Sequence, residues 1–155
     1  MSTSSAQRAS NESSNYSQYS TFYIAGRLYG IDVVRVQEVV RPMKITPVPR
    51  SPKYVSGLIN LRGQVATAIG VRELFGLDEG KNDEQMNVVC KIGSNLVSLL
   101  VDEIGDVVEV HKDNFERTPQ TIPQSIKQYM NGVCKTPESL LSIIDIDQLT
   151  NKMGE

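Results

Sequence analysis

Short apolar runs rich in valine and isoleucine, separated by glycine turns, set the tightest limit on what this chain can fold into. Gly26-Arg27, Arg62-Gly63 and Gly93-Ser94-Asn95 each stand between two such runs. β-Branched side chains are stiff at χ1 and pack well on a pleated surface, so runs of this kind favour strands, and tight turns between them favour hairpins. Phe22 and Ile24 alternate with Tyr23 and Ala25, and Leu28 to Asp32 returns as a second strand. Leu58 to Leu61 is matched with Gln64 to Val71, and Asn87 to Ile92 with Leu96 to Val101. Ile104 to Val110 adds a further strand, and Gln128 to Cys134 is matched with Leu140 to Ile146 across a turn containing Pro137.

Between these hairpins the pattern is less regular. Val33, Val36 and Val40 suit a helical face, but a valine-dense stretch resists a long helix, so one short helical turn followed by a strand is expected over 33–40. Pro42, Pro47 and Pro49 remove backbone donors and suit an extended connection. Ser51-Pro52 reads as the cap and first residue of a single helical turn over Pro52 to Ser56, stopped by Gly57. Arg72 to Phe75 reads as a short helix closed by Gly76. Asp78 to Gln85 reads as a polar, exposed loop, and Pro119 and Pro123 mark an irregular connection. Asp147 is expected to cap a short terminal helix.

The chain has 155 residues, and the first 17 are mostly Ser, Asn and Gln, too polar to offset the entropy of ordering. A disordered tail over 1–17 follows, with order beginning near Tyr19. Phe22 to Val39 and Val89 to Val110 are loosely alike, each giving strand, glycine turn, strand, acidic break and valine-rich strand. That likeness suggests two small barrels of similar build on either side of the loop at 78–85; closure would remove exposed strand edges.

Charge narrows the function. Sixteen basic and 18 acidic side chains leave a net charge of −2, with no Lys/Arg run, and duplex binding needs a basic face. Nucleic acid is therefore a poor partner. A small nucleic-acid-binding β-barrel is the alternative reading, and would need aromatic stacking residues on such a face. No window approaches a membrane span and no signal peptide is visible, so a cytoplasmic protein is expected. Cys90 and Cys134 lie within apolar runs and read as buried reduced thiols rather than a disulfide.

Catalytic chemistry finds little support. The sole histidine, His111, follows a valine strand beside Lys112 and Asp113 and reads as a surface residue at a strand end; only a hydrolase of unfamiliar arrangement would use it. Asp102-Glu103 and the Asp145/Asp147 pair could serve acid/base work or Mg²⁺, but their spacing matches no calcium loop and both lie at strand ends. No phosphate cradle or zinc spacing occurs, and no cofactor is expected.

Gly57 to Gly63 is the most informative stretch. Leu58, Ile59 and Leu61 would each contribute roughly 1.5–3 kcal/mol if buried. Asn60 and Arg62 share one face, opposite Ile59 and Leu61. Two readings of Arg62 stand side by side: a guanidinium presented to a partner on a glycine turn, and a structural arginine pairing with Glu38 or another carboxylate.

Tyr29-Gly30-Ile31-Asp32, Val36-Gln37-Glu38-Val39, Pro47-Val48-Pro49 and Gly57-Leu58-Ile59-Asn60-Leu61-Arg62-Gly63 resemble, in order and spacing, the signature of CheW-like domains, over about Tyr19 to Leu149. The resemblance implies a mostly β fold of two small five-stranded β-barrels (SH3-like) sharing a hydrophobic core, with short helices. The domain would span 18–150, divided near 18–77 and 86–150 with strand exchange allowed, and 151–155 would be a flexible end. It implies a non-catalytic adaptor linking chemoreceptor cytoplasmic tips to the regulatory domain of the histidine kinase CheA, with other CheW-like proteins as further partners in rings. Such an adaptor is recruited to membrane-associated arrays without inserting in the membrane. By the same resemblance Val34, Val36, Glu38, Leu61, Arg62 and Gly63 would meet the receptor hairpin in a groove between the barrels, and Arg117 and Ile122 the kinase. The chain departs from the pattern at Thr67, where the family usually has a mid-strand proline, and at Gly70-Val71-Arg72, where it usually reads Asp-Leu-Arg.

Overall fold

A computed structural model describes residues 15–80, 84–137 and 139–153. Most of the expected tail lies outside the described residues, but strand β1 (Tyr16–Ile24) begins earlier than expected, because Tyr16 and Ser17 pair with His111 and Val110. β2 (Arg27–Asp32) returns through a two-residue turn at Ala25 and Gly26, both with positive φ. A 3-10 turn (Val33–Arg35) leads into β3 (Val36–Val40), as the valine spacing indicated. After the proline segment come β4 (Val55–Leu61), β5 (Gln64–Gly70) and helix α1 (Val71–Leu74). β6 (Met86–Ile92) and β7 (Asn95–Val101) form the next hairpin, followed by β8 (Glu103–His111), a 3-10 turn (Lys112–Asn114) and β9 (Phe115–Glu116). α2 (Gln124–Lys127), β10 (Met130–Lys135), β11 (Leu140–Ile144) and α3 (Ile146–Met153) complete the fold.

The strands form two sheets, of order β8-β1-β2-β11-β10-β9 and β3-β6-β7-β5-β4. The first therefore has six strands rather than five. The boundary expected at 78–85 falls inside the second sheet, since β6 and β7 join β3–β5 rather than the strands that follow. The reason lies in nonlocal pairing: β5 runs parallel to β7 and β2 parallel to β11, contacts that no hairpin spacing announces. The whole second sheet is inserted between β2 and β8 of the first.

Alternation along each strand divides the core. Val88, Cys90, Leu99 and Val101 face Phe22, Ile24, Tyr29 and Ile31 of the other sheet in a shared core, through which Phe22, Tyr29, Phe75 and Tyr129 run as neighbouring rings. Val89 and Leu100 point the opposite way, to Ile59, Leu61, Ala66 and Ala68, covered by Met43 and Ile45 of the proline segment. A third cluster of Tyr19, Val110, Cys134, Leu141 and Ile143 fills the other face of the six-stranded sheet. Both sheets are thus buried on two faces, which is why their strands read as near-continuous apolar runs.

Neither sheet closes by backbone pairing. In the second, β3 and β4 are the two edges, and the segment between them carries Pro42, Pro47 and Pro49, which have no N–H to give a ladder. Thr46 forms a bridge there, exchanging both backbone hydrogen bonds with Leu58 (2.9 and 2.8 Å). Three local expectations change. Residues 52–55 form a hydrogen-bonded turn rather than a helix, Ser51 donating back to the Val48 carbonyl instead of capping forward. Gln85 lies in the loop before β6 but is buried rather than exposed, and residues 81–83 lie outside the described part. Residues 151–153, expected as a flexible end, continue α3.

Candidate functional site

The Asn60-Leu61-Arg62-Gly63 turn is built by its own side chains. Arg62 (φ 51°) and Gly63 (φ 93°) both take left-handed backbone, the geometry that matches the twist of two paired strands. Glycine adopts it freely, while an arginine there is strained and must be held. Asn60 holds it: its Oδ1 accepts the Gly63 N–H at 2.8 Å across the turn. Arg62 is left 72% exposed along its side chain.

Its guanidinium donates to the carboxylate of Glu38 on β3. Hydrogen bonding from Arg62 holds the Glu38 carboxyl below the usual carboxylate range, slightly opposed by burial. The pairing with Glu38 is therefore formed, and the paired arginine remains largely in solvent. A register shift between Val36 and Glu38 on β3 interrupts the ladder to β6, and Val36 and Glu38 are both half-buried while Gln37 between them is exposed. Val36 packs against the shared core.

Val34 is presented differently. It sits in the 3-10 turn with 83% of its surface exposed, where Asp32 Oδ1 accepts its N–H at 3.0 Å. Arg35, the next residue, donates through both terminal nitrogens to Asp147 of α3, at 2.8 and 2.7 Å. Asp147 was expected to cap that helix, but Asp145 does so, its Oδ1 accepting the N–H groups of Asp147 and Gln148. A cap belongs just before the first apolar residue of the helix, here Ile146.

Of the residues assigned to a receptor, the structure strings Val34, Val36 and Glu38 along one edge and joins them to Arg62 and Gly63 through the ion pair. Leu61 is corrected: at 3% exposure it lies in the second core cluster with Ile59 and offers no contact surface. Arg117 is exposed and Ile122 half-buried against the shared core, both in the connection after β9. No hydrogen bond or ion pair joins them to the β3 edge among the described residues.

A hub that the sequence did not reveal lies at Asp102, where the chain passes from β7 to β8. Its carboxylate accepts from Arg72 (2.7 to 3.1 Å), from Gln85 Nε2 (2.9 Å) and from the Ala25 N–H (2.8 Å). Burial pushes the Asp102 carboxyl up, but these hydrogen bonds outweigh it and the net shift is downward. Asp102 was a candidate acid/base group; three partners make it a structural acceptor instead. His111 likewise spends Nδ1 on the Asp113 N–H (3.1 Å) and meets Tyr16 edge-on at 4.8 Å. Cys90 and Cys134 are buried free thiols, as expected, and burial pushes Cys90 up to about 12. At Gly70, the space a side chain would fill is occupied by the Glu73 carboxylate, so an acidic group stands there despite the missing aspartate.

Comparison with known proteins bears on these residues. The family model described as "CheW-like domain" matches residues 18–153. The chain is 31% identical over 137 residues to the chemotaxis protein CheW of Treponema pallidum, covering 85% of this chain and 81% of that one. It is 31% identical over 132 residues to CheW of Bacillus subtilis, covering 84% and 85%. The scaffolding protein TtCheW from Thermoanaerobacter tengcongensis shares the fold with a TM-score of 0.75 at 29% identity, covering 84% of each chain.

Proposed function

Because the chain belongs to the CheW-like family, we propose that it works as a chemotaxis adaptor, coupling chemoreceptors to the CheA histidine kinase, with the edge of β3 and the Arg62-Gly63 turn as its receptor-docking face. The observation that carries this face is the Glu38–Arg62 pair, which brings two separate signature segments together on the strand that follows exposed Val34. An exposed apolar residue at the head of a strand that carries a fixed pair of charges suits an amphipathic helix: the valine supplies buried area and the charges set register. Val34, Val36, Glu38, Arg62 and Gly63 form this face, and Leu61 supports it from beneath.

Arg117 and Ile122 are proposed for the regulatory domain of CheA, as an exposed cation and a half-buried aliphatic group in the same irregular connection. Other CheW-like chains would join the same arrays. Among the described residues no helix is long and apolar enough to cross a membrane. The test is co-purification of the full chain with a receptor cytoplasmic fragment and with CheA from the same cell. Capture of both, with Val34→Asp losing only the receptor, supports the assignment; capture of neither overturns it.

A further inference from the structure

The main chain crosses between the two sheets twice, at the 3-10 turn between β2 and β3 and at Asp102 between β7 and β8. Each crossing is held by an arginine–aspartate pair, Arg35–Asp147 at the first and Arg72–Asp102 at the second. The second is part-buried, and Asp102 is tied to further donors, Gln85 and the Ala25 N–H. The first lies at the surface, directly beside Val34, and that difference points to a role beyond packing.

Arg35 reaches α3 with a planar, two-pronged contact, the geometry in which guanidinium and carboxylate fix each other's orientation best. Asp147 is itself anchored: Asp145 holds its N–H, while Ile146 and Leu149 sink the same helix into the shared core. On the other side of Val34, Asp32 accepts its N–H. Val34 is therefore gripped before and after, although its own side chain packs on almost nothing. An exposed three-residue turn free of such anchors would sample many conformations, and ordering it on contact would weaken binding.

We propose that Arg35 and Asp147 are a positioning pair, which holds Val34 in the geometry its partner meets and so makes α3 part of the docking apparatus without touching the partner. The inference rests on the reading of Val34 as a docking residue.

The test uses the full chain and a receptor cytoplasmic fragment in calorimetric titration, with amide hydrogen exchange as a second readout. Asp147→Asn and Arg35→Ala should each weaken binding by about three- to ten-fold, and the double variant no more than either alone, as members of one coupled pair do. Asp147→Glu should restore most of the loss. Exchange at the Val34 to Val36 amides should quicken in Asp147→Asn while the melting midpoint stays close to the parent, which a merely destabilised fold would not do. Should Arg35→Ala fail to fold, Asp147→Asn carries the test, since its site is on the surface. If Val34→Asp abolishes binding but Asp147→Asn binds like the parent, or the two losses add, the positioning pair is overturned alone. If the parent chain does not bind, or Val34→Asp binds like the parent, the docking face fails and this proposal fails with it.

Discussion

Glu38 and Arg62 belong to opposite edges of one five-stranded sheet, yet their side chains are in contact. Strand β3 ends the sheet on one side, and β4, whose turn to β5 carries Arg62, ends it on the other. No ladder of backbone hydrogen bonds joins those edges among the described residues; the Glu38–Arg62 salt bridge reaches between them, and the β4 edge pairs instead with Thr46 of the intervening segment. The pair thus links the two edges and marks the surface assigned to the receptor.

Arg62→Glu separates these two roles. The guanidinium is mostly in solvent, so the pair adds little to stability and the circular dichroism spectrum should be unchanged. Receptor binding should fall by on the order of ten-fold or more, because a second carboxylate beside Glu38 repels where the arginine attracted. Retained pull-down of the receptor fragment would remove Arg62 from the docking face.

Val34→Asp and Val36→Asp should differ. Val34 is exposed, so its variant should keep the parent melting midpoint and lose only the partner. Val36 packs against the shared core, and an aspartate there should cost about 1–3 kcal/mol of stability as well. Equal midpoints for the two in a thermal melt would contradict the burial difference.

Acid should weaken the fold through Asp102. Its carboxyl is lowered in the folded state, so the stabilisation it gives is complete above the unfolded value near 4 and fades as pH drops through the lower folded value. Asp147, lowered by Arg35, acts in the same direction more weakly because it is largely in solvent. Asp102→Asn should lower stability at pH 7 by about 1–3 kcal/mol and flatten the acid limb of a urea-midpoint profile.

Gly57→Ala should be one of the more damaging single changes. The residue has φ 148° at a register shift in β4, and an added Cβ would collide with the backbone carbonyl of Thr46, which the bridge to Leu58 prevents from moving away. A loss of about 1–3 kcal/mol in urea unfolding is expected. Unchanged stability would mean that the Thr46 bridge is not formed in solution.

Cys90 should resist alkylation. With its thiol pushed up to about 12 by burial, almost none is thiolate at neutral pH, and the sulfur is out of solvent. Mass spectrometry after iodoacetamide should find it unlabelled until denaturant is added; rapid native labelling would contradict the burial.

How far the sequence could be read depended on the range of each interaction. The Arg62-Gly63 hairpin was legible because its turn chemistry and flanking alternation are local, and that alternation already set Leu61 beside Ile59, away from Arg62. Assigning Leu61 to a partner went against it, and the burial of Leu61 follows the alternation. The side-by-side parallel strands β5 and β7 left no local trace, so the division into sheets was misplaced. Asp102 and Arg35 were silent for a similar reason: their partners lie far along the chain, and a single charged residue does not announce which opposite charge it will meet. Ser51-Pro52 carried a helix-start signal that the pairing of β4 from Val55 overrode.

The insertion of one sheet within the other has a consequence for how the molecule comes into being. Strands β3 to β7 are contiguous in sequence, so a ribosome-bound chain possesses the complete second sheet once β7 has emerged. Strand β1, made first, has β2 at once but must wait for β8, and β2 must wait longer still for β11. Bringing those distant strands together costs loop-closure entropy, and a sheet already folded between them shortens the flexible loop that must close. Strand β1 is thus left with one edge open until β8 has emerged, and β2 with one edge open until β11 has.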